Sequence, residues 1–128
     1  MKLLLDTCTF LWIVTDSANL SPHAKELFLN EENEVYLSVI SSWEITLKYQ
    51  LNRLELPTSP KNFIPEECEN HAISLLPFTQ EDINELQAMP ELHKDDFDRL
   101  LICQAKARNL TFLTPYNIIR KYPIKVDW

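Results

Sequence analysis

The run KLLLD, Lys2 to Asp6, carries three leucines in succession and then an aspartate. An apolar run with no polar face is the pattern of a strand covered on both sides in a parallel sheet. Asp6 then stands at the strand's carboxyl end, where open α/β sheets place their binding sites and where an aspartate can equally cap a following helix. Thr7 to Val14, with Phe10, Leu11 and Trp12, predicts a short helix that ends at the polar DSANLSP turn.

Outward from this start the same alternation repeats. A helix is predicted from Ser21, with Pro22 in its first turn and Ala24, Leu27 and Phe28 as its apolar stripe. Val35 to Leu37 reads as a second strand. Ile40 to Leu51 reads as a helix that Ser41 or Ser42 could cap, with Ile40, Leu47 and Leu51 on one stripe and Glu44 in the middle of it. After Pro57 and Pro60, NFIPEECEN is a short helical piece, Ala72 to Leu76 a strand, and Thr79 opens a helix with Glu81 and Asp82 in its first turn. A helix then follows Asp95 to about Arg108, with a strand at Thr111 to Leu113, a short helix at Tyr116 to Lys121 and an extended piece from Ile124 to Trp128. Strands alternating with helices predict an α/β domain with a parallel sheet, and no linker divides residues 1 to 128 into more than one domain.

The chain has no glycine. That excludes phosphate-cradling loops of the P-loop and dinucleotide type. It also leaves asparagine, at Asn30, Asn52, Asn70 and Asn109, as the residue for left-handed helix ends. Three widely spaced cysteines form neither a disulfide framework nor a zinc pattern, which fits a reducing, cytoplasmic setting. Asp6 interrupts the opening apolar run before it could serve as a secretory segment, and no run approaches the ~18 to 20 apolar residues of a membrane span. The net charge of −7 is unevenly spread: residues 1 to 98 hold eighteen of the nineteen acids, while residues 99 to 128 hold six of the twelve bases against Asp127 alone. Such a basic segment can meet phosphate locally, and equally can be a solvated face.

Asp6, Glu44 and the acids of one cluster each have a structural role to set against a functional one. Asp6 is divided evenly between capping and function. Glu44 has Lys48 four residues on, a pair contributing ~0.2 to 0.5 kcal/mol, whereas desolvating an unpaired carboxylate costs several kcal/mol; a stronger partner, such as a cation, is expected. In HKDDFDRLLICQA, His93 to Ala105, capping accounts for one or two of Asp95, Asp96 and Asp98, not for all three. If Asp6, Glu44 and Asp98 converge, each like-charge pair at ~4 Å repels by about 4 kcal/mol at an effective dielectric of 20. An all-oxygen cluster of that kind suits Mg²⁺ or Mn²⁺, and such ions serve phosphodiester hydrolysis.

The motifs LLLDT (Leu3 to Thr7), SSWEI (Ser41 to Ile45) with Lys48 following, HKDDFDRLLICQA, and FLT (Phe112 to Thr114) before Tyr122 and Trp128 occur in an order that resembles a PIN-domain ribonuclease of the VapC toxin type, over essentially the whole length. The resemblance implies a three-layer α/β/α sandwich with a mainly parallel central sheet. It implies that Asp6, Glu44 and Asp98 are the metal-binding acids and that Asp95 is an accessory catalytic acid, with Thr7, Arg99, Thr114 and Asn117 as candidate supporting groups. It further implies a Mg²⁺- or Mn²⁺-dependent endoribonuclease acting on RNA, a homodimer, and a small antitoxin as partner. Two positions depart from the family's pattern: Asp96 stands where proline is usual, and Tyr116 stands where a fourth acid follows Thr114. The second departure predicts weaker metal binding. It motivates an alternative, a PIN-fold protein that has lost catalysis and acts by binding a partner or RNA.

Overall fold

The computed structural model describes residues 1–128. Strands β1 (Lys2–Leu5), β2 (Glu34–Ser38), β3 (Ser74–Leu76), β4 (Thr111–Leu113) and β5 (Lys125–Asp127) form one sheet in the order β3-β2-β1-β4-β5. Every neighbouring pair is parallel. The central strand β1 aligns Leu3 with Val35 on one side and with Thr111 on the other. Helices α1 (Thr7–Val14), α2 (Pro22–Leu29), α3 (Val39–Gln50), α4 (Pro60–Asn70), α5 (Gln80–Asn84) and α6 (Asp96–Arg108) cover the sheet. Short 3₁₀ turns occupy Glu85–Ala88 and Asn117–Lys121.

Successive leucines of β1 point to opposite faces, and each face has its own core. Leu3 and Leu5 pack with Phe10, Ile13, Leu37, Ile45 and Phe63, under α1, α2 and α4. Leu4 packs on the other side with Leu101, Ile102, Ala105 and Phe112, under α6. The result is the three-layer α/β/α sandwich with a parallel central sheet. No helix is long and apolar enough to cross a membrane.

Local chemistry shifts several element boundaries. Helix α3 begins at Val39, one residue earlier than its apolar pattern suggests. Its cap is Ser38, whose Oγ accepts the Ile40 N–H at 3.0 Å, so Ser41 and Ser42 lie within the helix. The face that α3 buries is Ile40, Ser41, Glu44 and Ile45, while Leu51 is exposed. The stripe is therefore rotated relative to the one drawn through Leu47 and Leu51. Of the four asparagines, Asn52 and Asn109 are left-handed, at φ 56° and 55°. Asn30 is extended, and after α4 the left-handed residue is Ala72 rather than Asn70. That turn at Ala72 delays β3 until Ser74.

Candidate active site

The strand order runs outward from β1 in both directions, to β2 and β3 on one side and to β4 and β5 on the other. Crossovers therefore diverge at β1 and β4, which opens a crevice at their carboxyl ends. Asp6 follows β1 and Thr114 follows β4, so both sit at that crevice. Asp6 is 2 % exposed and fully engaged: Oδ1 accepts the Thr7 N–H at 2.7 Å as the cap of α1, and Oδ2 accepts the Thr114 hydroxyl at 2.7 Å. The capping and strand-end roles thus coexist in one residue.

Two other elements bring their acids to the same place. The Thr7 hydroxyl donates to Ser41 Oγ at 2.9 Å, tying the start of α1 to the first turn of α3. One turn further along α3 stands Glu44, 6 % exposed, whose Oε2 accepts from Lys48 Nζ. Asp95 caps α6 by accepting the Asp98 N–H at 3.0 Å. That cap fixes the first turn of α6 and, with it, the half-buried Asp98. Asp6, Glu44, Asp95 and Asp98 line one pocket of about 480 Å³, together with Thr7, Cys8, Lys48, Arg53, His93 and Tyr116.

The electrostatics reflect this crowding. Burial, followed by the neighbouring carboxylates of Asp6, Asp95 and Glu44, pushes Asp98 up to about 8. Burial also raises Asp6 to about 6, against the hydrogen bonds from Thr114 and Thr7. Burial opposes the charge of Lys48, yet its bond to Glu44 outweighs that and holds its pKa above the usual lysine value. Cys8 is pushed up to about 12, chiefly by burial, so its thiol stays neutral. Tyr116 is raised by Cys8 first and then by burial and the acids Asp6 and Asp98.

The remaining candidates separate. Thr7 and Thr114 hold the acids in place, as described. Arg99 lies on α6 beside Glu91 (3.8 Å) and Asp96 (4.0 Å), outside the residues that line the pocket. Asn117 also lies outside that lining, while its neighbours Tyr116 and Ile118 contribute to it. Asp96 faces solvent. Arg53 and Cys8 enter the pocket without a signal in the sequence, whereas His93 belongs to the HKDDFDRLLICQA motif. Arg53 lies beyond the end of α3, where no periodicity predicts its direction, and Cys8 stands in no disulfide or zinc pattern.

The side chains do not close on a common point. No group of three or more His, Cys, Asp or Glu residues stands in a metal-ligating arrangement, since Glu44 turns to Lys48, Asp6 to Thr114 and Thr7, and Asp95 to its helix cap. The donor set nevertheless fits a hard divalent cation. Its ligands would be carboxylate oxygens, and the raised pKa values of Asp6 and Asp98 mark buried negative charge that a cation would relieve.

Comparison with known proteins places this geometry in context. Among curated proteins, none matches the sequence significantly. Solved structures with the same fold include a chain of VapBC2 from Rickettsia felis bound to a promoter DNA fragment, at 16% identity and TM-score 0.72, with 99% of this chain and 98% of that one covered. A chain of DNA-bound VapBC from Salmonella typhimurium aligns at 20% identity and TM-score 0.70, covering 99% and 97%. A chain of FitAcB from Neisseria gonorrhoeae aligns at 22% identity and TM-score 0.61, covering 97% and 95%. At these identities the likeness establishes the fold. The sequence itself matches the PIN domain family over residues 3–122, so the chain belongs to that family.

Proposed function

We propose that this protein is a metal-dependent endoribonuclease, the toxin of a toxin–antitoxin pair. The observation that carries the reading is the gathering of Asp6, Glu44, Asp95 and Asp98, from three separate segments, into one pocket that also holds Lys48 and Arg53. Asp6, Glu44 and Asp98 would hold Mg²⁺ or Mn²⁺, with Asp95 assisting. When bound, such an ion supplies charge neutralisation to a phosphodiester and makes water more acidic.

The chain's own groups divide the remaining work. Lys48 and Arg53 offer positive charge to a phosphate entering an otherwise acidic pocket. Thr114 and the Thr7 N–H hold Asp6 at the carboxyl end of β1. The Asp95 cap fixes the first turn of α6, which carries Asp98. Asp98, whose pKa burial and the neighbouring carboxylates raise in the cation-free protein, would release its proton as a cation binds.

A further solved structure with this fold, at 14% identity and TM-score 0.63, is a toxin–antitoxin complex from Klebsiella pneumoniae, which supports a small antitoxin as partner here. Exposed Val39 and Trp43 on α3, with Trp43 edge-on against Phe97 at 4.8 Å, offer apolar surface for a partner or for a homodimer. Three free cysteines suit the reducing conditions of the cytoplasm, where the protein would act.

Cleavage of structured RNA in Mn²⁺ tests the reading. Wild type is expected to cut, with Asp6→Ala and Asp98→Asn slower by at least about 100-fold; equal cleavage by all three would remove these residues from the mechanism. A second reading, a binding protein without catalysis, is motivated by Tyr116 in the pocket and by the engagement of Glu44 with Lys48. Calorimetry showing no Mn²⁺ binding at millimolar concentration, with partner binding intact, would favour it.

A further inference from the structure

His93 lines the pocket, and the hydrogen bonds around it favour one tautomer. The Tyr122 hydroxyl oxygen accepts the Leu92 backbone N–H at 3.2 Å. Its other partner is His93 Nδ1 at 2.7 Å. With the oxygen already accepting one hydrogen, the hydroxyl's own hydrogen is satisfied by pointing at Nδ1. Nδ1 is then an acceptor, and the neutral ring must carry its proton on Nε2. Packing supports the arrangement: Tyr122 is 3 % exposed and meets the imidazole edge-on, with ring centroids 5.4 Å apart.

Nε2 is closed off from solvent and makes no hydrogen bond. It faces Asp98 Oδ2 at 3.7 Å, somewhat longer than a hydrogen bond. A buried donor without a partner is unfavourable, so a small closure onto that oxygen is downhill.

We propose that His93 is a positioning residue for Asp98: held in the Nε2–H tautomer by Tyr122, it donates to Asp98 Oδ2 and turns the other carboxylate oxygen toward the pocket. The inference rests on Asp98 being a cation ligand in the proposed function. It makes the C-terminal segment part of the site, because Tyr122 orients the ring that orients the acid. Removing groups that orient a ligating side chain typically weakens metal binding about 10- to 100-fold.

The test uses the full chain labelled with ¹⁵N-histidine. Long-range ¹H–¹⁵N correlation at a pH where His93 is neutral is expected to show the Nε2–H tautomer in wild type, with Asp98→Asn shifting the Nε2–H resonance. Mn²⁺ titration is expected to show affinity lowered about 10-fold or more in His93→Leu and Tyr122→Phe. His93→Gln, whose amide can donate from the Nε2 position, is expected to recover most of it. An Nδ1–H tautomer in wild type, or an Nε2–H resonance unmoved by Asp98→Asn, would overturn the proposal without reference to metal or RNA. Equal Mn²⁺ affinity in wild type and His93→Leu would overturn it too. If the tautomer and affinity pattern hold while wild type leaves RNA uncut, the nuclease reading fails and this one stands.

Discussion

Asp98 shows how the charge of a single carboxylate lining the pocket can oppose folding. Its pKa, raised to about 8 by burial and by Asp6, means the folded chain binds a proton that the unfolded chain has released. The contribution is therefore fully present below the ordinary aspartate value, near pH 4, and is lost as pH rises through about 8. Cation-free protein is expected to melt higher at mildly acidic pH than at pH ~8. Asp98→Asn removes the charge and should raise the melting temperature at the upper pH by a few degrees, at the cost of cation affinity. Thermal melts of both proteins at the two pH values check this. A variant that melts below wild type at the upper pH would show that repulsion is not what this site stores.

Helices α5 and α6 are joined by a second buried aspartate whose electrostatics run the other way. Asp82, fully buried in the first turn of α5, accepts the Thr79 N–H at 2.8 Å and Arg108 Nε at 3.0 Å, with Arg108 Nη2 at 3.2 Å. Gln104 of α6 adds a bond to the Pro77 carbonyl at 2.9 Å. Burial alone would raise the pKa of Asp82, but Arg108 and the Thr79 N–H outweigh it and hold it below the usual value. Its contribution is thus present above about pH 4 and fades as pH falls through the lowered folded value. Arg108→Met strands the buried carboxylate and is expected to cost about 2 to 3 kcal/mol at neutral pH, discounted because the guanidinium is one-third exposed. Urea unfolding should show that loss at pH 7 and a smaller one in acid. A loss of the same size at both would place the effect in packing rather than charge.

For the molecule as a whole, the acidic net charge opposes the RNA binding that the proposed function requires. The net charge is −7, and the cations that line the pocket are Lys48 and Arg53. Contact with a single strand through two such cations releases few counterions, giving a log–log salt slope of about −1.4. RNA binding by an uncleavable-site variant such as Asp98→Asn, measured across salt concentrations, checks the value. A much steeper slope would bring the exposed Arg120, Lys121 and Lys125 into the binding path.

The sequence by itself determined the alternation of strands and helices, because a run such as Leu3 to Leu5 has only one stable environment, covered on both faces. It also exposed Asp6 and Glu44 as acids in places where an acid is costly, and the Asp95 cap follows from its place before an apolar helix. The tertiary structure decided the rest. Asp6 and Thr114 are 108 residues apart yet hydrogen-bonded, because β1 and β4 are neighbours in the sheet, a pairing that no local pattern encodes. The same neighbourhood gives Arg53, Cys8 and His93 their places in the pocket, and Arg108 its hold on Asp82. Local periodicity fixes which face of an element is apolar; which elements meet, and so which side chains share a pocket, depends on packing across the whole sheet.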